Sequence, residues 1–142
     1  VDVPDVRRRV RAAIERARQD VQARRERSDA AARAFEEFLA GRAVPVFHML
    51  ASALVAEGHR FKVHTPAGSV RLASDRASDD FIELTLDSSQ DPPAVVGTIS
   101  NGRGRRNVTR ERPLPNGHVI DAISEDDVLE FVLAEIGPLV ER

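Results

Sequence analysis

Between Asp5 and Ala40 the chain contains neither glycine nor proline, and its apolar residues return at alternating steps of four and three. Val10, Ile14, Ala17 and Val21 form one run and Ala31, Phe35 and Phe38 another, with Arg24 and Ser28 interrupting the stripe. Spacing of this kind places apolar side chains on one face of an α-helix. A helix continuous over this span is about 54 Å long at 1.5 Å per residue. A compact domain built from 142 residues is shorter than that. The stripe therefore needs a covering surface, which can be another copy, another protein or the rest of the fold. With no turn residue in the span, one continuous helix is expected. The alternative is a hairpin broken between Arg24 and Asp29, where Ser28 or Asp29 would cap a second helix.

The helix is expected to begin near Asp5, with Asp2 or Asp5 facing the open amides of its first turn. It is expected to stop at Gly41, ahead of Pro45. Asp20 with Arg24, Asp29 with Arg33, and Arg16 with Asp20 predict a helix surface largely neutralised by its own charges. A second helix is read from Pro45 to Glu57, with Gly58 at its end. Val46, Phe47, Met49, Leu50, Leu54 and Val55 surround it, which predicts a helix buried on all sides.

After His59 the apolar period falls to two. Phe61 and Val63, then Val70 and Leu72, then Ile82, Leu84 and Leu86 mark three short strands, and Ala94 to Ser100 a fourth. Asn101-Gly102 suits a type I′ turn. That turn predicts a hairpin with Ser100 opposite Arg103 and Val95 opposite Val108, its fifth strand ending near Arg112. Short connections without helical crossovers make this an antiparallel meander. Ser124 and Asp127 form a capping-box pattern before a last helix, whose Val128, Leu129, Val132, Leu133 and Ile136 form a broad apolar face. The expected fold class is α+β. It has a long N-terminal helix and a buried helix, then a five-stranded antiparallel meander, then a C-terminal helix packed on the same sheet face. Residues 1–42 are read as a long amphipathic helix for dimerisation or partner docking, and residues 43–142 as a compact α+β domain.

The formal net charge of -2 argues against attraction of the whole protein to nucleic acid or anionic membranes. Locally the charge is uneven. Residues 101–112 carry five Arg and one Glu, while residues 121–142 carry seven acids and one Arg. Such a bipolar surface suits self-pairing or one oriented partner. Lys62 is the only lysine, an arginine bias expected of a GC-rich, bacterial-type genome, so a single arginine is no phosphate signal here. Cysteine is absent, which excludes a disulfide framework, a thiolate zinc site and a cysteine nucleophile. It also permits a reducing compartment, and a cytoplasmic location is expected. The amino-terminal run of Arg and acids lacks the apolar segment of a secretory signal. Ala43 to Ala56, as a separate segment, is too short to span a bilayer, so no membrane contact is expected.

No constellation with catalytic spacing emerges. His48, inside the second helix, has no acid or second histidine three or four residues away and reads as a core histidine. His59 and His64 lie five residues apart and cannot share a strand face. Asp79-Asp80 with Glu83 lacks the strand lysine that a metal-dependent nuclease of the restriction type would place beside an acid. Gly102-Arg-Gly104 sits between two strands and not before a helix, so its glycines serve a turn and not a phosphate. There is no Gly-x-Ser-x-Gly elbow, and Tyr and Trp are absent. No catalytic residue, metal site or cofactor is expected, and the chain is read as non-enzymatic.

In the Asn101-Gly102 register, Arg103 and Arg105 share a face with Asn107 and Thr109, and Arg106 points the other way. Arg103, Arg105 and Arg106 are candidates for anion binding. The stacking aromatics of a single-strand binder are missing, which argues against nucleic acid. The leading expectation is a protein-interaction module that homodimerises or docks a partner through Val10, Ile14, Val21, Phe35 and Phe38. The alternative is an anion or nucleic-acid binder using the Arg-rich hairpin at 101–112.

Overall fold

The computed structural model describes residues 1–141. Helix α1 spans Val3–Phe38. The Asp2 carboxylate accepts the Asp5 N–H at 2.8 Å, and Pro4 occupies the first turn, where a missing N–H costs nothing. The helix does not stop at Gly41. Leu39–Ala43 winds as a π-helix and passes without a break into α2, Val44–Ala56, so a single helix runs over Val3–Ala56.

Two physical reasons override the expected stop. Pro45 cannot donate to the helix ladder and its ring crowds the carbonyl four residues back, at Gly41; the wider π turn absorbs that conflict. The turn also corrects phase. Phe38 and Val46, eight residues apart, would stand about 80° out of line on a regular α-helix. Absorbing one residue brings them nearly into register. Phe35, Phe38, Ala43, Val46, Phe47 and Leu50 consequently bury against one core. Arg42 fastens the π turn by donating to the carbonyls of Asp121 at 3.2 Å and Ile123 at 2.8 Å, with its guanidinium over the Phe38 ring. An 18-residue window of the long helix has a mean hydropathy of 1.6. By length and composition the uninterrupted helix could therefore cross a bilayer, unlike the shorter segment 43–56 considered separately. About a third of that window is buried within the fold, with Phe47 and Leu50 among its core residues.

Five antiparallel strands follow in sequence order: β1 (Phe61–His64), β2 (Val70–Ser74), β3 (Phe81–Asp87), β4 (Ala94–Arg103) and β5 (Arg106–Pro113). Val63 lies opposite Leu72, Leu72 opposite Ile82, and Ile82 opposite Ile99, so one face carries the apolar alternation. Val70, Leu72, Ile82, Leu84, Val95 and Ile99 are buried there with the helix residues. Helix α3 (Glu125–Glu135) starts at the expected capping box, in which Asp127 N–H donates to Ser124 Oγ and Ser124 N–H to Asp127 Oδ2. Its Phe131 ring occupies the space a side chain at Gly97 would need, which seats α3 over β4. A short α4, Gly137–Val140, buries Leu139.

The β4–β5 turn corrects the sequence expectation. Arg103 pairs with Arg106, Asn101 with Val108 and Ser100 with Thr109. The turn residues are Gly104, at φ +63°, and Arg105, while Asn101 and Gly102 remain in the strand. This register buries Leu114, whose N–H donates to the Val95 carbonyl at 3.3 Å. It also brings Arg110 and Arg112 to Glu135 on α3. Burying a leucine is worth roughly 1.5–3 kcal/mol, which outweighs the preference of one turn dipeptide. Gly102 N–H donates to the buried Asp80 carboxylate at 2.8 Å, a further hold on the longer strand.

Neither α2 nor α3 is enclosed as fully as its composition predicts. On α2, Met49 and Val55 are about half exposed, His48 is exposed, and Leu54 is partly buried. The core side of α2 faces β1 and β2, and no described residue covers His48, Met49 and Val55 on the opposite side. On α3, Val128, Phe131 and Val132 are buried, but Leu129 and Leu133 reach solvent.

Candidate partner-binding surfaces

The long helix divides by what surrounds it. Every residue from Val6 to Gln22 is exposed, and Val3, Val6, Val10, Ile14 and Val21 are between 42% and 72% accessible. Farther along the same stripe, Phe35 and Phe38 are buried in the chain's own core, their rings 6.0 Å apart. Of the five stripe residues expected to contact a partner, Val10, Ile14 and Val21 thus remain open, and the two phenylalanines are covered by the fold. The flank of the open stripe is mostly basic, with Arg7, Arg11 and Arg18 alongside Glu15.

The interruption at Arg24 and Ser28 has a structural counterpart. There the helix meets the loop after β3. Arg27 forks onto Asp91 with Nε and Nη2 donating at 2.9 and 2.8 Å, and Arg24 reaches the same carboxylate at 3.6 Å. The hydrogen bonds from Arg27 hold the Asp91 carboxyl below its usual range and raise the Arg27 guanidinium. Hydrogen bonds from Ser89 and Gln90 likewise hold Asp87 low. Helix spacing pairs Arg24 with Asp20, whereas the fold brings it to a residue distant in sequence, a contact that periodicity cannot reveal. Beside it lies an open crevice of about 600 Å³ lined by Arg25, Ser28, Ser89 and Asp91 among others.

A second apolar surface has no counterpart among the sequence expectations. Val46, Met49, Leu50 and Ala53 of α2 and Leu129 of α3 line a groove of about 310 Å³, with Glu125 and Asp126 at its rim. Its signal in the sequence is the all-round apolar character of α2: such a helix must expose part of itself when only one side is covered.

The Arg-rich hairpin separates into two parts. Arg110 and Arg112 pair with Glu135 at 3.0 and 3.1 Å and belong to the α3 packing. Arg103, Arg105 and Arg106 are exposed at the tip. The predicted grouping of Arg103 with Arg105 is replaced by Arg103 directly opposite Arg106, with Arg105 in the turn. Lys62 and Arg71 lie on β1 and β2, far across the sheet from β5. They pair with Asp75 and Glu83, and Arg71 also stacks on Phe81 at 4.0 Å.

Glu83 accepts from Ser69 and Arg71, and Asp80 braces β4. His48, read from sequence as a core histidine, stands on the exposed side of α2. His118 Nδ1 lies 3.2 Å from the Pro92 carbonyl. Among the described residues, no three His, Cys, Asp or Glu side chains gather as a metal site, and no acid, base and nucleophile converge. No family model, curated protein or solved structure matches the chain.

Proposed function

We propose that the protein is a non-enzymatic interaction module whose working surface is the amino-terminal part of α1. One observation carries this reading: Val3, Val6, Val10, Ile14 and Val21 line one side of a helical arm that its own chain leaves uncovered. A stripe of valines and an isoleucine held in water adds no solubility. Covering those side chains would stabilise the arm by roughly 1.5–3 kcal/mol for each one fully buried. The arm joins the core through α1 itself, which runs unbroken from Val3 to the buried Phe35 and Phe38.

The test is sedimentation equilibrium of the parent chain beside Val10→Asp with Ile14→Asp. Self-association in the parent, lost in the variant with an unchanged circular dichroism spectrum, supports the reading. Equal association in both chains would remove the stripe from any role in it.

A second reading rests on a different observation. Arg103 and Arg106 face each other across the hairpin with Arg105 between them, and like charges directly opposite disfavour the pairing. An anion at the tip would relieve that repulsion. Binding of duplex DNA or a polyanion that weakens steeply with salt, and that disappears in Arg103→Ala with Arg106→Ala, would favour this reading.

A further inference from the structure

Resting on the proposed role of the α1 arm, we infer that its receptor is the acid-rimmed groove between α2 and α3 on a second copy of this chain. Both surfaces present apolar side chains to solvent: in the groove these are Met49, Ala53 and Leu129, over the buried Val46 and Leu50. The arm offers Val10, Ile14 and Ala17, which span about 10 Å along the helix; the groove floor from Val46 to Ala53 spans the same length. Met49 is 57% and Leu129 36% exposed in that groove, so each gains from being covered.

Charge favours this pairing over arm against arm. Residues 3–21 carry six Arg against three acids, and Arg7, Arg11 and Arg18 flank the open stripe. Two arms laid side by side would set these guanidiniums against one another, and like charges across an interface are costly. The groove supplies the opposite sign. Glu125 and Asp126 stand at its rim, α3 contains no basic residue, and α2 contains no charged residue at all.

The arm cannot reach the groove of its own chain. Ile14 and Met49 belong to one uninterrupted helix and lie 35 residues apart, a separation of about 50 Å. The occupant is therefore the arm of another molecule. An arm in one copy engaging a groove in the next repeats until a ring closes, and two copies exchanging arms already form such a ring.

The experiment mixes two variants of the full chain. Val10→Asp with Ile14→Asp disables the arm, and Met49→Asp with Leu129→Asp disables the groove. All four positions are solvent-facing, and thermal melts confirm that both variants fold. If the groove variant melts early, Glu125→Arg with Asp126→Arg replaces it. In sedimentation velocity the parent should self-associate with concentration, as a reciprocal dimer or a larger ring, and each variant alone should remain a single chain. An equimolar mixture should then form a two-chain species, because one intact arm meets one intact groove. A groove variant that self-associates like the parent, beside a monomeric arm variant, would overturn the groove assignment and leave the arm reading standing as arm-on-arm pairing. A parent that stays monomeric at high micromolar concentration would overturn both.

Discussion

Val10 and Phe38 sit on one helix at heptad spacing, yet Val10 is half exposed and Phe38 has no accessible surface. The two ends of α1 obey the same local rule. Periodicity decides which side chains share a face; it does not supply the surface that covers them. At Phe38 the cover is the chain's own core, locked by the π turn and Arg42. At Val10 the described residues supply none. The boundary between the two regimes falls where Arg24 and Arg27 grip Asp91.

The sharpest way to break this comparison is to mutate both ends in dilute, submicromolar solution, where association cannot contribute. Phe38→Ala should cost about 3–5 kcal/mol in urea denaturation, the usual penalty for emptying a buried aromatic site. Ile14→Asp should stay within about 0.5 kcal/mol of the parent, as exposed substitutions do. Equal costs at the two sites would mean that the arm is covered within a single chain.

A smaller effect is expected where α3 meets the sheet. Gly97→Ala places a methyl against the Phe131 ring, and overpacking of this kind typically costs about 1–3 kcal/mol. Adding Phe131→Leu to Gly97→Ala should recover part of that loss. A neutral Gly97→Ala would show that α3 can shift, and that its seat over β4 is looser than that of α2 over β1 and β2.

The finest test concerns the tether between the two regimes. Asp91 titrates below its ordinary value of 3.8 because Arg27 donates to the ionised form. Its contribution is therefore fully present above the unfolded value and is lost as pH falls through the lower, folded value. Amide protection around residues 24–31, taken relative to the intrinsic exchange rate at each pH, should hold from neutral pH down to mild acid and fall only in stronger acid. Asp91→Asn should show the faster exchange already at pH 7. If exchange there is the same in parent and variant, the tether does not mark the boundary.

Much of the architecture could be read from local pattern. Gly-free and Pro-free periodicity specified α1, period-two alternation specified the strands, and Ser124 with Asp127 specified where α3 starts, because each signal acts over a few neighbouring residues. The candidate surface was legible in part, through Val10, Ile14 and Val21. The groove was not, because an α2 apolar on all sides does not say which side the sheet will take. His48, placed in the core by that same reasoning, stands on the uncovered side.

What the sequence determined by itself, then, is the set of elements, their order and the faces they offer. Tertiary structure decided three things. Gly41 became part of a π turn and not a stop, since Phe38 and Val46 had to face one core and Pro45 had to be accommodated. The hairpin turned at Gly104 and not at Asn101-Gly102, since the longer pairing buried Leu114 and brought Arg110 and Arg112 to Glu135. The stripe was covered at Phe35 and Phe38 and left open at Val10 and Ile14. At the π turn and the hairpin, a local preference met a greater gain from burial or pairing between residues distant in the chain, and that gain set the outcome. Along the arm no such distant surface exists among the described residues, so the local helix stands with its apolar face uncovered.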